Sequence, residues 1–404
     1  MFEKLKNRVK KVRGETRSLF TEEICPYCFD PFRLKDTPFR CASPPARCTL
    51  VPDAILERKW EDRRPVGKVL SSDGRFTTFR TCPDCGQRSY KRLCPLCHQE
   101  LPHIFGEYRN YIFAVIGAKR AGKSHYLPAL IEQIKHHVGP RMEMLLQPMN
   151  DFTINRYRTD FYNPLFNQHQ TLEETFSALA GRPGAATIQL PMTFSLTFTG
   201  RNLIGKDSIK RAITLAFFDT AGEDLKSEDT MATVNKYIYR SHGIILLLDP
   251  LQLNRVRDQL GAKVSLPLQD TETSDIVSRV AKLIRQGREL GTGDKIPIPL
   301  AIALSKIDAV TSLLDTQAQI NSSTKPGSGF DQADFEAIDA EVQSFVVRWD
   351  SEHLLQQVRA QFRTYGFFAL SALGAPPDGT KVTRIVSLRV EAPFLWLLHH
   401  HKLI

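Results

Sequence analysis

The residues best suited to chemistry fall into two groups. The first is eight cysteines, all between Cys25 and Cys97. They are spaced Cys25-x2-Cys28, Cys41-x6-Cys48, Cys82-x2-Cys85 and Cys94-x2-Cys97, and the 307 residues after Cys97 hold none. A C-x2-C turn brings two sulfurs to one tetrahedral ion at a Zn–S distance of ~2.3 Å, so two zinc sites, each of four cysteines, are expected. Three turns carry proline after the first cysteine: Cys25-Pro-Tyr-Cys28, Cys82-Pro-Asp-Cys85 and Cys94-Pro-Leu-Cys97. The last two, with Gly86 after Cys85, resemble a short zinc ribbon. This assigns Cys82, Cys85, Cys94 and Cys97 to one ion and Cys25, Cys28, Cys41 and Cys48 to the other. An interleaved pairing satisfies the same chemistry. With four cysteines per ion no ligand position is open to substrate, so the ions are expected to hold together a segment too small for its own core.

The second group is Gly117-Ala-Lys-Arg-Ala-Gly122-Lys123-Ser124, a full match to G-x4-G-K-[ST]. An apolar run over 111–116 precedes it, and Leu127, Leu130, Ile131, Ile134 and Val138 follow at helical spacing. Strand, glycine loop and helix make a phosphate cradle: backbone N–H groups wrap the anion and the helix start adds its positive end. Lys123 is expected to reach the β- and γ-phosphates and the Ser124 hydroxyl to bind Mg²⁺, while Gly117, Lys119, Arg120, Ala121, Gly122 and His125 line the loop.

Three later segments complete the site. The strand Ile213–Phe218 delivers Asp219-Thr-Ala-Gly222, whose acid can hold Mg²⁺ through water and whose glycine amide can sense a γ-phosphate. The strand Pro299–Leu304 ends in Ser305-Lys306-Ile307-Asp308. A carboxylate there can accept both N1–H and N2–H of guanine, a pair adenine does not offer, and the Lys306 stem can cover the ring. After Phe367–Leu370, a backbone amide at Ser371 or Ala372 can meet guanine O6. An ATPase would require Asp308 to be idle. Thr187 is the first candidate for the threonine that joins Mg²⁺ to the γ-phosphate, with Thr193 and Thr171 as alternatives. Glu223 follows the D-x-x-G, where a water-orienting glutamine is common; an acid there repels the γ-phosphate. Lys119 in the loop could stabilise phosphate charge or obstruct an arginine finger. Slow turnover awaiting a partner or assembly is expected. Arg156, Arg158 and Arg201 lie where an internal finger could originate.

These motifs, in this order, resemble a Ras-like P-loop GTPase of the translation-factor-related class over roughly 110–375. With Cys-Pro-Tyr-Cys in front and Ala392-Pro-Phe-Leu-Trp-Leu-Leu398 at the end, the chain also resembles bacterial double-GTPase proteins with an N-terminal zinc ribbon. That family is associated with conflict and defence gene clusters, and the resemblance implies a prokaryotic switch, in antiviral defence among other settings. The implied fold is α/β, a six-stranded, mostly parallel sheet with helices on both faces. Strands are expected near 111–116, 192–199, 212–218, 243–249, 299–304 and 366–370, the second an antiparallel edge strand. The organisation expected is a basic tail or amphipathic helix over 1–20, a two-zinc module over 21–106 and a Ras-like GTPase domain over 107–404. Insertions fall near 139–185 and 309–365. The cofactors implied are GTP or GDP, Mg²⁺ and two zinc ions.

Composition sets the outer limits. The chain has 404 residues, 42% hydrophobic and 24% charged, in the range of a folded protein of two or three domains. No apolar run reaches the ~18 residues of a membrane span, and the first 20 residues lack a cleavable hydrophobic stretch, so a cytoplasmic protein is expected. The net charge is +10, of which residues 1–110 carry +8, from 22 Lys/Arg and 14 Asp/Glu. Two zinc–thiolate sites, each of net −2, would lower that to about +4. Phe2, Leu5, Val9 and Val12 recur among basic residues over 1–13, a pattern that suits a membrane surface, a partner, or a frayed helix on its own domain. Arg88, Tyr90, Lys91 and Arg92 interleave charge with an aromatic ring, as nucleic-acid surfaces do and as solvated basic faces also do. The expected function is a GTP-hydrolysing switch whose zinc module engages a protein partner. The rivals are a zinc-dependent nucleic-acid-binding protein and a module that holds GTP without hydrolysing it.

Overall fold

The computed structural model describes residues 22–102, 105, 110–118, 120–172, 190–201, 207–217, 232–261, 266, 273–322, 329–350 and 352–404. The basic segment 1–20 lies outside the described residues.

The cysteine-bearing part is made of strands two or three residues long: β1 (Glu22–Ile24), β2 (Pro31–Arg33), β3 (Phe39–Arg40), β4 (Val69–Leu70), β5 (Arg80–Thr81), β6 (Arg88–Ser89) and β7 (Lys91–Arg92). Strand β1 pairs with β2, β3 lies between β4 and β7, and β5 pairs with β6, all antiparallel. Elements this short bury little by themselves, so the cysteines serve as core residues beside Tyr27, Leu56, Trp60 and Phe105. Helix α1 (Ala54–Trp60) starts where the Asp53 carboxylate accepts from the Ile55 and Leu56 amides. Its last residue, Trp60, donates Nε1–H to the Cys97 carbonyl at 2.9 Å.

The remainder runs β8 (Phe113–Gly117), α2 (Lys123–Gln133, extended by a π-type turn over Ile134–Val138), β9 (Met144–Pro148), α3 (Asp151–Arg156, extended over Tyr157–Asn167), β10 (Met192–Arg201), β11 (Asp207–Phe217), α4 (Ala232–Tyr239), β12 (Gly243–Leu248), α5 (Asn254–Leu260), α6 (Thr273–Gly287), β13 (Leu300–Leu304), α7 (Gln332–Asp350), α8 (His353–Gln361), β14 (Tyr365–Ala369) and α9 (Ala392–His400). Strands β14-β13-β12-β8 form a parallel sheet, and β11-β10-β9 an antiparallel one. The parallel strands are covered on both faces, which is why β12 and β13 read as unbroken apolar runs. One face packs residues of α4 to α8, among them Tyr237, Val256, Val280, Val342 and Leu354. The other packs α2, α3 and α9, among them Leu130, Tyr157 and Phe394.

Two expectations need correction. Among the described residues the six strands do not form one continuous sheet: β11 meets β8 through a single parallel bridge, Asn110–Thr214, where the Tyr111 amide donates to the Thr214 carbonyl at 3.2 Å. Beyond that rung the Tyr237 hydroxyl donates to the Phe113 carbonyl at 2.8 Å and accepts from the Val115 amide at 3.2 Å. It thereby occupies the β8 edge that β11 would pair with. Nor is β10 an edge strand. The insertion over 139–185 supplies β9, which covers it, with Met144 and Leu146 buried and Leu145 49% exposed in the alternation of a half-buried strand.

Candidate functional site

The parallel register brings four strand ends to one rim. Leu247 pairs with Gly117, Leu248 with Leu304, and Leu304 with Ala369, so the loops after β8, β12, β13 and β14 emerge side by side. In an open α/β sheet this carboxyl rim is where ligands bind. The loop after β8 is forced to be glycine-rich by its neighbours. A Cβ on Gly117 would meet the Leu247 carbonyl oxygen at 2.6 Å and the Ala121 Cβ at 3.2 Å, and Gly122 sits at φ +86. Lys123 is buried and donates Nζ to the Gly117 and Ala118 carbonyls, each at 2.9 Å, so its ammonium lies inside the loop. Ser124 follows it in the first turn of α2.

The other loops close on this one. Lys306, at φ +51, lays its stem over the phosphate loop, its Cε 3.9 Å from where a Cβ of Gly122 would stand. Its Nζ is fixed by the buried Asp249 carboxylate at 2.7 Å. Asp308 is half-buried, and burial pushes its carboxyl up while a hydrogen bond from Ser371 opposes that rise. Ser371 is held by paired backbone bonds with Leu388 and itself accepts from the Gly374 amide at 2.8 Å. Ala372 follows it, its carbonyl accepting from the Ser387 hydroxyl. Burial and the nearby Lys306 charge lower His125 to about 4, so its ring is neutral at pH 7 and Nε2 accepts the Leu172 amide at 3.1 Å.

The structure thus brings together Gly117, Arg120, Ala121, Gly122, Lys123, Ser124, His125, Lys306, Asp308, Ser371 and Ala372. Lys119, Thr187, Asp219, Gly222 and Glu223 lie outside the described residues. The alternative threonines are both among the described residues. Thr193 is buried, its amide donating to Thr153 Oγ1 at 3.0 Å, and the Thr171 amide donates to the Thr380 carbonyl at 2.8 Å. Arg156 ties Nη1 to the Leu190 carbonyl at 2.8 Å, a structural contact. Sequence reasoning passed over Asp249, although its place right after an apolar strand, like that of Asp219, was a usable signal.

The eight cysteines form two tetrads, Cys25, Cys28, Cys94 and Cys97, and Cys41, Cys48, Cys82 and Cys85, with the four sulfurs of each tetrad within 4.8 Å of one another. The ribbon pairing expected from sequence is therefore corrected to the interleaved one. The reason is the β3–β7 pair: Arg40 faces Lys91 and Phe39 faces Arg92, so the antiparallel strands send Cys41 and Cys94 in opposite directions. Each C-x2-C turn has the same form. Phe29, Gly86 and His98 take positive φ and donate their amides back to Cys25, Cys82 and Cys94. Sulfur separations are 3.7 Å for Cys25–Cys97 and Cys41–Cys85 and 3.9 Å for Cys28–Cys94 and Cys48–Cys82. A tetrahedron with Zn–S of ~2.3 Å sets sulfurs ~3.8 Å apart, so both tetrads fit zinc. Burial pushes the Cys25 and Cys97 thiols well up, and only a bound cation would make four thiolates stable there. Between the tetrads, Asp53 accepts from Arg40 Nη2 at 2.9 Å and lies 2.9 Å from His98 Nδ1, linking the neighbours of Cys41 and Cys97.

Of the residues that suggested nucleic acid, Arg92 is buried against the Phe39 and Phe76 rings and donates to Thr37 and Thr77. Lys91 pairs with Glu100 at 3.2 Å. Among the described residues no helix is long and apolar enough to cross a membrane.

No protein-family model matches the chain. A curated relative from Mycolicibacterium smegmatis, named "Putative ESX-1 scaffolding and assembly protein SaeC", is 27% identical over 329 residues, covering 76% of this chain and 78% of its own. The solved structures that this chain resembles include the small GTPase Arl6 of Trypanosoma brucei with a bound nucleotide analogue, at 12% identity and a TM-score of 0.27, over 72% of this chain and 98% of that one. They also include the GTPase-like domain of Ski7 from S. cerevisiae bound to GTP, at 14% identity and a TM-score of 0.30, over 72% of this chain and 50% of that one.

Proposed function

We propose that this chain is a guanine-nucleotide switch that hydrolyses GTP slowly and works on a protein partner. One observation carries the reading: the phosphate loop, the Lys306 stem, the Asp308 carboxylate and Ser371 converge on one rim of the parallel sheet, with Lys306 against Gly122. In it, Lys123 takes the β- and γ-phosphates, and Asp308 accepts the guanine N1–H and N2–H. Lys306 covers the base, and the Ser371–Ala372 backbone meets O6. Asp249 matters because it prevents the Lys306 ammonium from swinging off the ring. His125 ties the chain at Leu172, the start of the segment in which Thr187 is proposed, to the first turn of α2.

Mg²⁺ when bound neutralises phosphate charge, and Ser124 is proposed to hold it together with Asp219 and Thr187. Gly222 is proposed to sense the γ-phosphate and Glu223 to hold the attacking water. Glu223 in place of glutamine supports slow turnover, because its charge opposes that of the phosphate. Both zinc ions are structural in this reading, since all four ligand positions of each are cysteine. The relative's name supports a setting in the assembly of a protein complex rather than antiviral defence.

The test is multiple-turnover phosphate release from GTP by the full chain. The expected rate is on the order of 10⁻³ s⁻¹ or below, dependent on Mg²⁺ and lost in Lys123→Ala. Release that ignores Lys123, or rapid turnover by the lone protein, contradicts this reading.

A further inference from the structure

The seam between β8 and β11 is held from both sides by the cysteine-bearing part. Its single rung uses Asn110, whose Nδ2 donates to the Glu23 carboxylate at 2.8 Å. Beyond that rung the Tyr237 hydroxyl takes the Phe113 carbonyl and the Val115 amide. These groups belong to the edge facing β11. Tyr111 bonds β11, the Ile112 carbonyl accepts from His242 ahead of β12, and main-chain groups alternate along a strand, which turns 113 and 115 back toward β11. Continuing the Asn110–Thr214 register would set Ile112 opposite Ala216 and bring the β11 main chain to the groups that Tyr237 now holds. The β8 edge therefore has two mutually exclusive partners.

Tyr237 lies on α4, the helix that follows the D-x-x-G segment, and it is fully buried. The zinc knuckle braces it. The ring of Phe29, the residue after Cys28, lies 5.1 Å from the Tyr237 ring. Next to it, Asp30 accepts from Lys236 of the same helix at 2.5 Å. Phe29 reaches this place because its positive φ turns it out of the knuckle and into the core of the sheet.

We propose that Tyr237 is a two-position latch coupling the nucleotide to the zinc knuckle. With its hydroxyl on β8 the seam is open. In the triphosphate state β11, whose end leads in sequence to the D-x-x-G signature, takes the β8 edge and Tyr237 leaves it. Phe29 and Asp30 then lose their seat on α4, and the cysteine-bearing part shifts on the sheet. Coupling of this kind is reciprocal, so whatever holds the knuckle on α4 disfavours the triphosphate state. The proposal rests on the guanine-nucleotide reading.

The experiment uses the full zinc-loaded chain and titrates GDP and a non-hydrolysable GTP analogue, with hydrogen exchange read at the Val115 amide. Tyr237→Phe keeps the ring and removes two hydrogen bonds made only in the open state. The ratio of affinities should move toward the triphosphate by about fivefold or more, one hydrogen bond being enough for that. In Tyr237→Phe, Val115 should exchange faster with GDP bound yet stay protected with the analogue, where β11 covers it. Phe29→Leu, which leaves the hydroxyl in place, should shift the ratio in the same direction by less. An unchanged ratio in both variants overturns the latch, as does a Val115 amide that exchanges equally with either nucleotide in Tyr237→Phe. A wild-type chain that binds neither nucleotide overturns the guanine reading and the latch together.

Discussion

Zinc stoichiometry of paired cysteine variants separates the two possible ligand sets cleanly. In the structure Cys25 and Cys94 share one tetrad, and Cys41 and Cys82 share the other. A Cys25→Ser/Cys94→Ser chain therefore loses two of four ligands from one site and none from the other. Metal analysis by plasma mass spectrometry on the full chain should fall from two zinc ions to one. Under the sequential ribbon pairing the same variant strips one ligand from each site, and the content should fall toward none. Cys41→Ser/Cys82→Ser should likewise retain one ion. The two variants should differ in stability. The tetrad with Cys25 and Cys28 adjoins Phe29, which is fully buried in the core of the sheet, whereas the other adjoins a small cluster of Phe39 and Leu70. A structural zinc site contributes on the order of 10 kcal/mol of folding free energy in small domains, so the first loss should lower the melting temperature of the whole chain and the second chiefly that of the amino-terminal part. Loss of both ions from either variant would refute the interleaved assignment.

Two further outcomes follow from the rim of the sheet. Gly117→Ala places a Cβ 2.6 Å from the Leu247 carbonyl oxygen, a backbone atom that cannot step aside. Nucleotide affinity should fall at least about tenfold with far-ultraviolet circular dichroism unchanged; full affinity would mean that the loop is not the phosphate site. Asp249→Ala removes the acceptor of both Lys306 Nζ and the Leu251 amide. Denaturant unfolding should show a loss of about 2 kcal/mol, below the roughly 3–5 kcal/mol of a fully buried pair because about a third of the Lys306 side chain is exposed.

The sequence made the phosphate loop and the strand before it legible because both depend on local rules: an apolar run, glycines where backbone must approach backbone, and a helix after them. Asp308 and Ser371 were legible for the same reason, each standing at the end of an apolar run. What sequence could not reveal was pairing at a distance. The cysteine tetrads follow from the antiparallel β3–β7 pair, whose strands are two residues long and carry no hydrophobic pattern. Strand β9 was hidden inside an insertion, and the split sheet depends on one tyrosine hydroxyl whose partners are 122 and 124 residues away in the chain. Asp249 was visible only as the end of an apolar run, because its role requires Lys306 to be placed beside it.

The central claim is that Asp308 selects guanine, and a change of base tests it most directly. Asparagine at 308 keeps one acceptor and adds a donor, which suits the N1–H and O2 of xanthine and leaves the guanine N2–H unmatched. Calorimetric titration of GDP, ADP and xanthosine diphosphate with Mg²⁺ should show GDP bound by the wild type in preference to both others. Asp308→Asn should lose GDP affinity at least about tenfold and gain xanthosine diphosphate. Equal binding of ADP by the wild type, or GDP binding unaffected by the substitution, would contradict the account.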